Sequence, residues 1–292
     1  MNAQRKTIIV TGANSGIGKI TAHVLIQQGY DVIIVCRNQT AGEQACAEFN
    51  QTGPGKAQLV LCDFSRPDQI QTAASTILEQ HPRLDVLVNN AGAYFPKRFT
   101  TDNGLEMTFA VNHLGYFHFT ALLLPALLSA EKARIVNVAS RAHTRGKLHF
   151  DDLHYTARKY NAMGAYSSSK LMNVLFTFEL ARRLSGTRVT ANCLHPGVIR
   201  TGFGQDHSGW FNVAIRIAKP LMISPEKGAE TSIYLATSPE VQGVTGTYFA
   251  QSRPKTPHRR ATQIEDAKQL WKLSETLIGQ QVDPGQALAP DA

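Results

Sequence analysis

The sequence predicts an α/β domain built on a doubly wound parallel sheet of seven strands with helices on both faces. Short, near-continuously apolar runs alternate with longer segments of helical periodicity, the pattern of parallel strands buried on both sides. A glycine-rich turn joins the first run to the first helical segment, where an open α/β sheet binds phosphates. No Pro/Ser-rich linker, composition shift or solenoid-length repeat divides the 292 residues, so residues 1–292 read as a single dinucleotide-binding domain.

Strands are expected at Lys6–Thr11, Asp31–Cys36, Ala57–Cys62, Leu84–Asn89, Arg134–Ala139, Arg188–Leu194 and Thr245–Phe249. Helical patterns lie between them at Ile17–Gln28, Thr40–Asn50, Asp68–Gln80, Gly104–Leu128, Met163–Leu184 and Pro225–Thr237. A last amphipathic segment, residues 261–278, offers Ile264, Ala267, Leu270, Trp271, Leu273 and Leu277 to pack back on the domain.

Composition narrows the function classes. Hydrophobic content of 43% with 18% charged residues describes a soluble globular chain. The four cysteines are scattered, without disulfide-framework or metal-pair spacing, and read as reduced thiols. Met1–Lys6 runs straight into the first strand and leaves no room for a secretory or transit peptide. No apolar run is expected to span a membrane, and the cytoplasm is the expected compartment. The net charge of +8 is spread, except for Arg253, Lys255, Arg259 and Arg260 among prolines. Without interleaved aromatics that stretch reads as a solvated loop rather than a nucleic-acid or lipid surface. A positive field also draws in an anionic cofactor.

The turn Thr11-Gly-Ala-Asn-Ser-Gly-Ile-Gly18 carries the phosphate signal. Gly12 permits a tight turn, Gly16 a close backbone approach and Gly18 tight helix–strand packing, while Asn14, Ser15 and Ile17 complete the cradle. The helix that follows presents free N–H groups and a partial positive charge to a pyrophosphate. An NAD site wants a carboxylate at the end of the second strand, but this one ends in Arg37. Arg37, with Lys19 from the turn, suits a ribose 2′-phosphate, so NADP(H) is expected over NAD(H). As surface cations the two need have no such role.

Tyr166 and Lys170 stand four apart on the helical pattern that follows, and therefore on one face. An unperturbed phenol is a poor base at neutral pH; a neighbouring cation favours the phenolate. The pair is a candidate acid/base for an alcohol oxygen, although such spacing is common on helix surfaces.

Together with Asp63, Asn89-Asn90-Ala91-Gly92, Asn112, Ser140 and Pro196-Gly197, these motifs resemble the short-chain dehydrogenase/reductase family, with its Rossmann-like fold, over nearly the whole chain. Cys36-Arg37-Asn38, Arg134–His143 and Phe176–Leu184 are most similar to its retinol dehydrogenase–like branch. The resemblance implies that Ser140 stabilises the substrate oxygen, that Tyr166 moves the proton, and that Lys170 lowers the tyrosine pKa and holds ribose hydroxyls. It implies that Asn112 binds a water leading from Lys170 to solvent. Asp63, Asn90, Ala91 and Gly92 would line the adenosine side. Pro196 and Gly197 would bend Val198 and Thr201 toward the nicotinamide. Microsomal members carry an N-terminal membrane anchor that is not expected here, so their location is not carried over.

Substrate signals are fewer. The segment at 198–224, with Phe203, Trp210 and Phe211, is expected to cover the substrate, unless it packs internally or on a second subunit. Tyr94, Phe95, His143 and His149 are further candidates for the pocket wall. Apolarity there suggests a retinoid-, steroid- or long-chain-aldehyde-like substrate. His149-Phe-Asp-Asp-Leu-His154 matches no metal-ligand spacing, and no metal is expected. The expected activity is alcohol/carbonyl interconversion with a small-molecule substrate. A protochlorophyllide reductase–like double-bond reductase and an idle NADP(H)-binding sensor are the alternatives.

Overall fold

A computed structural model describes residues 5–197 and 223–284 of the chain. Its strands are β1 (Thr7–Thr11), β2 (Asp31–Cys36), β3 (Ala57–Leu61), β4 (Val86–Asn89), β5 (Ala133–Val138), β6 (Val189–His195), β7 (Tyr248–Ala250) and β8 (Arg253–Pro254). They form one sheet in the order β3-β2-β1-β4-β5-β6-β7-β8. Every pairing is parallel except β7–β8. The order steps outward in both directions from β1 and β4, the doubly wound arrangement.

The alternation of side chains along each strand decides what covers which face. Ile8, Val10, Val32, Ile34, Val86 and Val88 face one layer, made by α1 (Gly16–Gln27), α2 (Gln39–Phe49) and α6 (Pro225–Thr237). Ile9, Ile33, Val35, Leu87 and Ile135 face the other. There lie α3 (Pro67–Gln80), α4 (Met107–Leu128) and α5 (Ala162–Arg183). The last helix, α7 (Ile264–Ile278), lays Trp271 against Phe117 and Phe176, with ring centroids 4.9 and 5.9 Å apart.

Three expectations need correction. The sheet has an eighth strand, because Gln251 and Ser252 both take positive φ (54° and 55°) and fold Arg253–Pro254 back on β7. Two left-handed residues make a tight hairpin turn, and proline is tolerated because β8 is an edge strand. The fourth helix begins at Met107 rather than Gly104. Gly104 is left-handed at φ 81°, and the Glu106 carboxylate caps the Thr108 and Phe109 amides. The C-terminal helix begins at Ile264, after a separate tight turn at Arg259–Thr262. Helix α4, 22 residues long, is by length and composition apolar enough to cross a membrane, and most of it is buried within the domain.

Candidate active site

The candidate site residues within the described part of the chain gather at the carboxyl ends of the parallel strands. Gly12 leaves β1 with φ 66°, and a side chain there would press within 2.9 Å of the Ala91 backbone. Thr11 Oγ1 accepts from the Asn90 and Ala91 amides at 2.8 and 2.9 Å, and Asn90 Nδ2 donates to Thr11 O at 2.7 Å. Asn90 thus clamps the end of β4 to the glycine turn. Asn14 and Ile17 are half-buried, Ser15 and Gly16 are exposed, and no side chain caps the N-terminus of α1. Its first amides remain available to an anion.

Gly18 explains the closeness of this packing. A Cβ there would lie 2.3 Å from Gly12 O and 2.4 Å from Asn90 Nδ2. Gly18→Ala should therefore cost about 1–3 kcal/mol of stability and weaken cofactor binding, read from urea unfolding and NADPH fluorescence titration. An unchanged affinity would remove the turn from the binding site.

The two cations proposed for a 2′-phosphate do not converge on a shared partner. Arg37, with 76% of its side chain exposed, lies 3.6 Å from Asp63. Lys19 turns to Glu48 on α2, with Nζ 2.7 Å from the carboxylate. Asp63 also accepts from Ser65 N and Oγ at 2.9 and 2.7 Å, which shapes the loop into α3.

Ser140 stands just past β5. Its hydroxyl accepts from the Ala142 amide at 3.1 Å and is hydrogen-bonded to the Tyr166 phenol. Burial pushes the Tyr166 pKa up, and the bond to Ser140 pulls it partly back. Lys170 is buried and donates to Val138 O at 3.0 Å. Its ammonium sits 5.7 Å from the ring centre of Tyr116 and 5.9 Å from that of Tyr166. Loss of hydration pulls its pKa down to about 7. Gly92 leaves the space beside this ammonium: a Cβ there would sit 3.4 Å from both Lys170 Nζ and Asn112 Oδ1.

Asn112 is fully buried in a π-turn, Ala110–Leu114, that interrupts α4. Such turns expose backbone groups that a regular helix would pair. Its amide is spent on structure: Oδ1 accepts from Ala93 N at 2.7 Å, and Nδ2 donates to Ala93 O at 2.9 Å and Ser169 Oγ at 3.1 Å. The side chain locks the loop after β4 to α5.

Tyr94 lies edge-on to Tyr166 with centroids 6.1 Å apart. Met163 is exposed one turn before Tyr166, and Phe99, also exposed, packs on Phe95. His143 packs against the Ser140 backbone. It is buried, with Nδ1 2.7 Å from Ser140 O, while Nε2 takes the His258 amide at 3.2 Å. Pro196 and Gly197 end β6, and Gly197, at φ 98°, leaves no room for a side chain beside Ile223. Val198, Thr201, Phe203, Trp210 and Phe211, and nearly all of the segment expected to cover the substrate, lie outside the described residues.

Tyr116 escaped the sequence reading, although Asn112-x-x-x-Tyr116 repeats the four-residue spacing of Tyr166 and Lys170. A cavity of about 1320 Å³ lies away from this cluster, along the amino ends of β5 and β6 between Arg134, Phe178, Arg188 and Ile264. Among the described residues no His, Cys, Asp and Glu side chains group as metal ligands. Asp152 is instead committed to Thr156 and Arg158.

The comparisons agree with this architecture. The short chain dehydrogenase family profile matches residues 6–210. Retinol dehydrogenase 14 of Mus musculus is 41% identical over 94% of this chain and 86% of its own length. A crystal structure of an uncharacterised protein from Mycobacterium paratuberculosis superposes with a TM-score of 0.78 at 32% identity, covering 96% of this chain and 95% of that one. Actinorhodin polyketide ketoreductase, solved with NADPH, superposes with a TM-score of 0.65 at 26% identity, covering 84% and 95%. The chain belongs to the short chain dehydrogenase family, among relatives of the retinol dehydrogenase type.

Proposed function

We propose that this protein is an NADP(H)-dependent oxidoreductase that interconverts an apolar alcohol with its aldehyde or ketone. The observation that carries the reading is one cluster: the Tyr166 phenol bonded to Ser140, with the Lys170 ammonium beneath its ring.

The cradle formed by Gly12, Gly16 and Gly18 at the open start of α1 fits the pyrophosphate of a dinucleotide, and Arg37 fits a 2′-phosphate. The nicotinamide, when bound, supplies or accepts the hydride. Ser140 donates to the substrate oxygen as charge develops there. Tyr166 gives the proton in reduction and takes it in oxidation. Burial penalises a lone phenolate and a lone ammonium alike, as the upward shift of Tyr166 and downward shift of Lys170 reflect. Side by side in that poorly hydrated space, each charge offsets the cost of the other. Lys170 thereby makes the phenolate accessible.

The apolar body of the substrate rests on Tyr94, edge-on to Tyr166, and on Met163, exposed one turn before it. Relatives named for retinol, an apolar alcohol, support the same class. The test is a panel of short and long aldehydes, ketones and alcohols with NADPH and NADH, followed at the nicotinamide absorbance. Turnover of long apolar carbonyls or alcohols is expected. Binding of NADPH without turnover across the panel would reduce the protein to a cofactor-binding sensor.

A further inference from the structure

His113 is the titratable side chain that this chemistry leaves unused. It is fully buried in the π-turn beside Asn112, and burial pulls its pKa down to about 3. A neutral imidazole has one N–H and one lone pair, and both want partners. Nε2 lies 3.0 Å from Ser274 Oγ on α7. Nδ1 and Asn173 Oδ1 are each buried without a hydrogen bond in their present placement, yet the Asn173 amide faces the ring.

One proton assignment satisfies every group. With its proton on Nδ1, His113 donates to Asn173 Oδ1. Ser274 turns its hydroxyl from Leu270 O, 2.8 Å away, to donate to Nε2. The Leu270 carbonyl loses little, because a helical carbonyl already accepts the amide four residues on. Asn173 Nδ2 points at Val138 O, 3.4 Å away, the same carbonyl that holds the Lys170 ammonium at 3.0 Å. In this assignment a buried chain runs from Ser274 through His113 and Asn173 to the carbonyl under Lys170.

We propose that His113 is a positioning residue for the Lys170–Tyr166 pair, through this chain from α7 to Val138. The proposal rests on the roles of Tyr166 and Lys170 given above. Val138 ends β5 two residues before Ser140, so slack there reaches both the lysine and the serine. The groups facing Lys170 are Tyr116 from α4, Tyr166 on its own helix, Val138 O from β5, and Asn112 with the Gly92 backbone. Tyr166 faces Ser140, Tyr94 and Tyr116, and among the described residues no carboxylate shifts either Tyr166 or Lys170. Among the described residues Lys170 is thus the cation placed to stabilise the phenolate, and loosening it raises the phenol pKa.

His113→Phe keeps a ring and removes both polar atoms; Ser274→Ala removes only the outer donor. The limb of the pH–rate profile that depends on Tyr166 should move up by about one unit in His113→Phe. Oxidation at pH 7 then falls about tenfold, with substrate KM unchanged. Ser274→Ala should move it the same way by less, and carries the test if His113→Phe does not fold, since alanine favours a helix. Nitrogen-15 NMR of the wild type should find His113 neutral and protonated on Nδ1 down to pH 5. A limb that stays in place while the melting temperature drops makes the chain merely structural and overturns the proposal, as does a proton on Nε2. Failure of the underlying chemistry looks different, since Tyr166→Phe would then retain its turnover.

Discussion

Replacing Tyr166 with Phe is expected to leave NADPH affinity within about twofold and to lower turnover of any accepted substrate by roughly 10²-fold or more. The ring stays and packs on Tyr94, so the pocket keeps its shape; the proton alone is lost. A factor of 10² corresponds to about 2.7 kcal/mol of transition-state stabilisation, ordinary for a positioned acid/base. The pH dependence follows from the same groups. Oxidation needs the phenolate, so its rate climbs as pH rises toward the upshifted Tyr166 pKa. Reduction needs the phenol, so it holds a plateau below that pKa and falls above it. Both limbs should vanish from the residual activity of the variant. Near-normal turnover in Tyr166→Phe would sink the mechanism.

Lys170 shows what this arrangement costs. A buried lysine whose pKa has dropped from 10.5 to about 7 binds fewer protons folded than unfolded between those values. Stability therefore rises with pH across that window and is lowest where the lysine must be charged in a dry site. Lys170→Met, which keeps the stem and removes the charge, should lose turnover without lowering the melting temperature near neutral pH. A clear loss of stability would show that the bond to Val138 O outweighs desolvation.

The sheet was legible because its strands are buried on both faces and their valine and isoleucine runs stand out without any knowledge of partners. The eighth strand was hidden because its turn is made by Gln251 and Ser252, with no glycine or asparagine to announce left-handed backbone. Tyr166 and Lys170 could be paired because the helix period alone puts them on one face. Tyr116 and His113 could not, since their partners come from other elements: Lys170 for the first, Ser274 and Asn173 for the second. Asn112 was rightly read as a buried amide, but its partners in the backbone of Ala93 are a tertiary fact. Lys19 and Arg37 seemed matched by charge, yet each side chain has found a carboxylate of its own. Charge pattern tells which residues are cationic; it does not tell which anions the fold brings beside them.

That distinction sharpens the second large effect, on cofactor choice. Arg37 is mostly in solvent and its contact with Asp63, at 3.6 Å, is long. An exposed pair of this kind contributes only about 0–1 kcal/mol, so the guanidinium is readily exchanged onto a stronger anion. A hydrogen bond to a charged group contributes about 1.5–3 kcal/mol, roughly one to two decades of affinity. Wild-type protein is therefore expected to prefer NADPH over NADH by at least about tenfold in kcat/KM, more strongly at low salt. Arg37→Asp should reverse the preference. The new carboxylate stands near Asp63, so two negative charges repel a 2′-phosphate while either can accept from a free ribose hydroxyl. The fold should tolerate the change, because 76% of the arginine side chain is exposed and its contribution to packing is small. Lys19→Ala should alter the NADPH constant by no more than about twofold, because its ammonium is already held by Glu48 and water. The measurement is a pair of steady-state titrations, NADPH and NADH, for each variant at low and high salt. Equal use of both cofactors by the unmutated protein would mean that Arg37 never reaches the phosphate. A preference for NADPH that survived Arg37→Asp would move its origin to another cation.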